Sequence, residues 1–98
     1  MLWSVYCLDK PNSGALRQST RPTHLAYLEE YRDRIVYGGA LLGADGQTVA
    51  GSLLVVNLPD RAAAQKFSDG DPYAKAGLFE SVAIHPTRKV FVNAAAAE

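Results

Sequence analysis

One cysteine, two histidines and no surplus of either charge leave this 98-residue chain few kinds of chemistry. The lone cysteine, Cys7, cannot close an internal disulfide, so a reducing cytoplasm is the expected compartment. Cys7 stands mid-strand among apolar neighbours and reads as a core residue rather than a nucleophile. The two histidines are scattered, and neither a His-x-x-x-His nor a Cys-x-x-Cys pair occurs, so no metal site is expected. Ten basic side chains offset ten acidic ones. Nucleic acid and anionic membranes both require a basic excess, and no aromatic-basic RNA-binding motif is present; neither is an expected partner. No apolar run is long enough to span a bilayer. The start, Met1–Leu8, has neither a basic leader nor a small-residue cleavage site, so no signal peptide is expected. There is no Gly-rich phosphate loop, no dinucleotide fingerprint and no Gly-x-Ser-x-Gly elbow. An enzyme built from this chain would work without a tightly bound cofactor.

What is present organises simply. The length fits one domain, expected over residues 1–93, with Ala94–Glu98 as a frayed tail. A chain this short buries only about two-thirds of its unfolded surface, so its core is small. Residues 2–8 alternate, Trp3, Val5 and Cys7 against Leu2, Ser4, Tyr6 and Leu8, which marks a first strand. Asp9–Gly14 is loop by composition, and Ala15–Ser19 suits a short helical turn. The main helix is expected from Thr20–Pro22, with Pro22 in the first turn, to about Arg34. Its apolar stripe is His24, Leu28, Tyr31 and Ile35, joined by Leu25. A second strand, Ile35–Leu42, is interrupted by Gly38-Gly39. Asp45-Gly46 signals a tight hairpin, because glycine tolerates the positive φ such turns use. Thr48–Leu58 reads as a third strand, apolar on both faces. A second helix follows Pro59-Asp60 over Arg61–Ser68, and a one-turn helix follows Asp71-Pro72. Phe79–Ile84 is a fourth strand, with a short fifth possible over Lys89–Asn93.

The order β-α-β-β-α-β specifies an α+β, ferredoxin-like fold: an antiparallel sheet with both helices on one face. Two helices cover one face only. The first and third strands are apolar on both, so the open face is expected to meet a partner. A homodimer, sheet against sheet, is the simplest solution.

The segments Arg21-Pro22-Thr23-His24-Leu25-Ala26-Tyr27-Leu28, Gly39-Ala40-Leu41-Leu42, Gly51–Val56 and Asp71–Val82 resemble the YciI-like (YCII-related) family. The resemblance runs from Tyr6 to Phe91, with the segments in order. The family often carries Gly-Pro where this chain has Gly39-Ala40. The resemblance implies a dimeric α+β-barrel fold similar to that of muconolactone isomerases. It also implies a pocket with a catalytic His and Asp, here His24 and Asp71.

Each candidate has a plainer role beside the functional one. His24 on an apolar stripe is either a hydrogen-bonded core histidine or a general base. A first-turn position would set it near the positive end of the helix dipole, which suits a neutral base, and a carboxylate would fix its tautomer. Asp71 before Pro72 is a helix N-cap, and one carboxylate oxygen could cap while the other faces a pocket. Arg17 and Arg21 stack on the face of His24; they either bind a substrate carboxylate or phenolate or form a solvated pair. Ser52 either points into the pocket or bonds locally. Tyr73 either offers its hydroxyl to a ligand or is a buried aromatic. Gly39, with Gly38, either lets a ligand approach the backbone or permits a bulge. The functional expectation is a small-molecule enzyme using His24 and Asp71 for acid–base chemistry, isomerase- or lyase-like, on a ring or carboxylated substrate. The alternative is a non-catalytic binding or protein-interaction module.

Overall fold

Strand β1 (Leu2–Asp9) sets the core, because its inward set Trp3, Val5 and Cys7 is buried while Tyr6 and Leu8 stay partly exposed. The computed structural model describes residues 1–97, so Glu98, the last residue of the expected tail, lies outside the described residues. Helix α1 (Gly14–Glu30) follows, then β2 (Ile35–Leu42), β3 (Val49–Asn57), α2 (Arg61–Gly70), the one-turn α3 (Pro72–Lys75) and β4 (Phe79–Thr87). The four strands form one antiparallel sheet in the order β2-β3-β1-β4, the ferredoxin-like topology. Both long helices pack on the same face. Ala64 and Phe67 of α2, with Tyr27 and Leu28 of α1, meet Trp3, Val5, Cys7, Leu54 and Val56 of the sheet. Burying a side chain such as Phe67 contributes about 1.5–3 kcal/mol.

Several boundaries differ from those the sequence suggests. The expected turn at Ala15–Ser19 and the helix from Thr20 are one continuous helix, with Pro22 in its interior. Pro22 has no N–H for the Gln18 carbonyl. Both residues are exposed, so water can take the vacant bond. The helix ends at Glu30, before Arg34, and the chain turns through Tyr31–Arg34 into β2. Tyr31 and Ile35 still pack on the core from that turn.

Strand β2 passes through Gly38-Gly39 without a break; its register shifts instead near its two ends. The β2–β3 loop spans Gly43–Thr48, longer than a tight hairpin. Asp45 clamps it by accepting from the Gln47 and Thr48 backbone N–H groups, both at 2.9 Å, and Gly46 supplies a φ of +70°. Strand β4 runs past Ile84 to Thr87, with Pro86 opposite Trp3. An edge strand accepts proline because its outer side has no neighbour to bond. Lys89–Asn93 forms no strand; Ala94–Ala96 makes a single 3₁₀ turn. The caps of the two later helices fall where expected, Asp60 accepting from Ala63 N–H at 2.8 Å and Asp71 from Tyr73 N–H at 2.9 Å, whereas Thr20 and Arg21, the expected caps of the main helix, lie inside α1, whose N-cap is Ser13.

Candidate active site

Positions 17, 21, 24, 25 and 28 of α1 share one face, since their spacings of three and four follow the helical period. That face lies over the part of the sheet where the side chains are smallest: Gly38, Gly39 and Ala40 of β2 and Ser52 of β3. Small residues under long ones leave a hollow of about 210 Å³, lined by these residues with Leu25, Leu28 and Leu54. Five of the seven expected residues, Arg17, Arg21, His24, Gly39 and Ser52, line it.

Asp71 and Tyr73 stand behind that wall, 2% and 1% exposed. His24 Nδ1 lies 2.8 Å from Asp71 Oδ1. The same oxygen accepts the Tyr73 N–H, so capping and holding the histidine fall to one atom. A carboxylate oxygen that already accepts is an acceptor for the ring as well. The proton of a neutral imidazole therefore sits on Nδ1, and Nε2 carries the lone pair. Tyr73 stacks against the imidazole, with ring centres 3.9 Å apart and planes 17° from parallel. Burial raises the Tyr73 phenol above its ordinary range, although Arg17 pulls the other way. Its ring braces His24, and Tyr73 is not among the residues that line the hollow. His24 sits in the third turn of α1, because the helix begins at Gly14. A dipole effect confined to the first turn therefore does not reach it.

Arg17 is held on three sides. Its Nε and Nη2 grip Asp9 Oδ2 and Oδ1 at 2.7 and 2.9 Å, Nη2 also donates to Ser52 Oγ at 2.9 Å, and its guanidinium stands 4.5 Å from the centre of the Tyr73 ring. Composition alone places Asp9 in a loop. The missed signal was alternation: Asp9 continues the inward series Trp3, Val5, Cys7. Arg21 forms no salt bridge among the described residues, so it brings an uncompensated positive charge to the hollow's wall. Among the described residues no carboxylate lines the hollow. Cys7 is buried beneath the site, where desolvation first and the Asp71 charge second push its thiol up to about 12, which suits an inert core residue. Among the described residues no group of three or more His, Cys, Asp or Glu side chains is arranged to hold a metal.

The fold is thus an α+β, ferredoxin-like one, with a histidine–carboxylate pair beside a hollow that two arginines line. The chain belongs to the YCII-related domain family, whose model matches residues 1–88. It is 36% identical to Protein YciI of Escherichia coli O6:H1 over 98 residues, covering 93% of this chain and all of that one. An uncharacterized protein of Haemophilus influenzae is 28% identical over the same span. Among solved structures, 5-chloro-2-hydroxyhydroquinone dehydrochlorinase of Burkholderia phenoliruptrix AC1100, in complex with 2,5-dihydroxybenzoquinone, matches with a TM-score of 0.85. That likeness has 34% identity and covers 90% of this chain and 94% of the enzyme. No helix among the described residues is long and apolar enough to cross a membrane.

Proposed function

We propose that this protein is a cytoplasmic, cofactor-independent enzyme that moves a proton on a small anionic ring compound, with an isomerase- or lyase-like outcome. The observation that carries the reading is the buried 2.8 Å bond between His24 Nδ1 and Asp71, which leaves Nε2 free beside a hollow lined by two arginines. His24 is the base. A C–H or O–H bond of the substrate breaks, the proton goes to Nε2, and the electron pair moves onto a ring oxygen. Return of the proton at another atom completes an isomerisation; departure of a leaving group such as chloride completes an elimination. Asp71 is a positioning residue, because it touches the histidine and not the hollow. Arg21 draws an ionised oxygen into the hollow through its guanidinium. A positioned base of this kind supplies roughly 10²–10⁴-fold of rate.

The structural neighbour is a 5-chloro-2-hydroxyhydroquinone dehydrochlorinase, so that chlorinated compound is the first substrate to try. The wild-type protein is expected to release chloride from 5-chloro-2-hydroxyhydroquinone, and His24→Gln to slow release by roughly 10²-fold or more. An unchanged rate in the variant would remove His24 as the base. No release by the wild type would remove this substrate class.

We also propose a homodimer through the open sheet face. Tyr6 and Tyr37, which point away from the helices, are 42% and 55% exposed, and Leu8 lies beside Tyr6. Sedimentation should give a dimer at micromolar concentration, and Tyr6→Glu should shift it to monomer; a monomeric wild type refutes the assembly.

A further inference from the structure

We infer that Ser52 binds the substrate oxygen on which negative charge develops, and that Arg17 and Asp9 act through it. This rests on the acid–base reading above and adds the oxygen-binding half of the site.

A serine hydroxyl has one hydrogen and two lone pairs, while a guanidinium only donates. The 2.9 Å bond from Arg17 Nη2 therefore uses a lone pair of Ser52 Oγ and leaves its hydrogen unspent. No hydrogen bond among the described residues takes up that hydrogen. A serine with a purely local role would give it to a nearby carbonyl. Ser52 is only 4% exposed, and it lines the hollow that His24 also lines. The O–H that remains is the neutral donor on the sheet side of a site whose base stands on the helix side.

The donor is held rigidly. Ser52 lies mid-strand in β3, opposite Cys7 on one side and Ala40 on the other. The preceding Gly51 presses so closely on the Cys7 carbonyl that no Cβ fits between them. Arg17 does not need Ser52 for its own satisfaction, because Asp9 already holds it by a two-point fork. What the third bond does is polarise the hydroxyl. With a fixed cation behind it, the Ser52 O–H stabilises an anionic acceptor more than a neutral one, and the side chains around it keep water from screening the effect. The preferred ligand atom is an enolate, phenolate or quinone-type oxygen on a flat ring lying between helix and floor. Ser52 thus touches the substrate; Arg17 and Asp9 position and charge it.

The test is equilibrium binding of 2,5-dihydroxybenzoquinone to the whole chain by titration calorimetry. This probe has no chlorine to lose, so the result does not depend on whether His24 transfers a proton. Ser52→Ala should weaken binding about tenfold or more. Ser52→Cys, which keeps the side chain's shape but replaces O–H by a weak donor, should show a similar loss. Ser52→Thr, which restores a hydroxyl, should recover most of the affinity. Arg17→Lys should weaken binding in the wild-type background and no further in Ser52→Ala. Wild-type affinity in both Ser52→Ala and Ser52→Cys, fully additive losses for Arg17→Lys, or no binding by the wild type, would each overturn the assignment.

Discussion

Replacing Asp71 separates what its carboxylate does for the fold from what it does for His24. The side chain is almost fully buried, and Oδ1 accepts both the Tyr73 N–H at 2.9 Å and the imidazole Nδ1 at 2.8 Å. Asp71→Ala removes the cap, which costs about 0.5–2 kcal/mol. It also orphans a buried imidazole N–H, which costs about 1–3 kcal/mol. The expected loss is about 3 kcal/mol, out of the roughly 5–15 kcal/mol by which such domains are stable. In a chain of this size that lowers Tm by roughly 12–24 °C. Asp71→Asn keeps an oxygen for the Tyr73 N–H and should cost about 1 kcal/mol, because asparagine caps as well as aspartate. The decisive measurement is a double-mutant cycle by urea unfolding at constant m. With His24 already replaced by alanine, no imidazole is left to orphan, so Asp71→Ala should cost only its cap. The two losses should therefore fall short of additivity by about 1 kcal/mol or more. Additive losses would mean that the 2.8 Å contact carries no coupling, and the physical basis for Asp71 as the holder of His24 would be gone.

Three further outcomes follow from packing and charge. Gly51→Ala forces a Cβ onto the Cys7 carbonyl between two paired backbones, so it should destabilise by about 3 kcal/mol or more, read as a lower urea midpoint or loss of soluble protein; a wild-type midpoint contradicts the close approach. Ala40→Phe places a ring on the floor of the hollow at an exposed position. It should abolish 2,5-dihydroxybenzoquinone binding while changing stability by less than about 0.5 kcal/mol, and undiminished affinity would place the ligand elsewhere. Asp45 is held down to about 2, from an ordinary 3.8, first by the Thr48 hydroxyl and then by the Gln47 and Thr48 backbone N–H groups. The unfolded chain takes up this proton first, so the stabilisation is present above about pH 4 and is lost as pH falls toward 2. Asp45→Ala should therefore show a shallower loss of stability over that window than the wild type; an identical acid profile refutes the clamp.

Much of the fold was legible because its signals are local. Alternation along Leu2–Leu8, the Asp60 cap and the Asp71-Pro72 start each act within a few residues, and each element formed where its pattern stood. The order of those elements then dictates the sheet, since few topologies connect β-α-β-β-α-β without crossing. The start of α1 was misread for the converse reason. Pro22 is a strong local mark of a helix N-terminus, yet the helix extends back to Gly14, and Arg17 is tied from there to Asp9 and to Ser52 35 residues away. Contacts across that distance outweigh one missing backbone bond on an exposed face.

Residue types alone offered a histidine, an aspartate and two arginines with two roles each. Resemblance to known relatives pointed to which of them meet, but not to which atoms. That one Asp71 oxygen serves both Tyr73 and His24, that Asp9 turns inward to fix Arg17, and that Ser52 keeps a hydrogen to give were settled only when helix packed on sheet. Periodicity sets which face a side chain leaves from; the distance between two faces, and so every hydrogen bond across them, exists only once the core has closed.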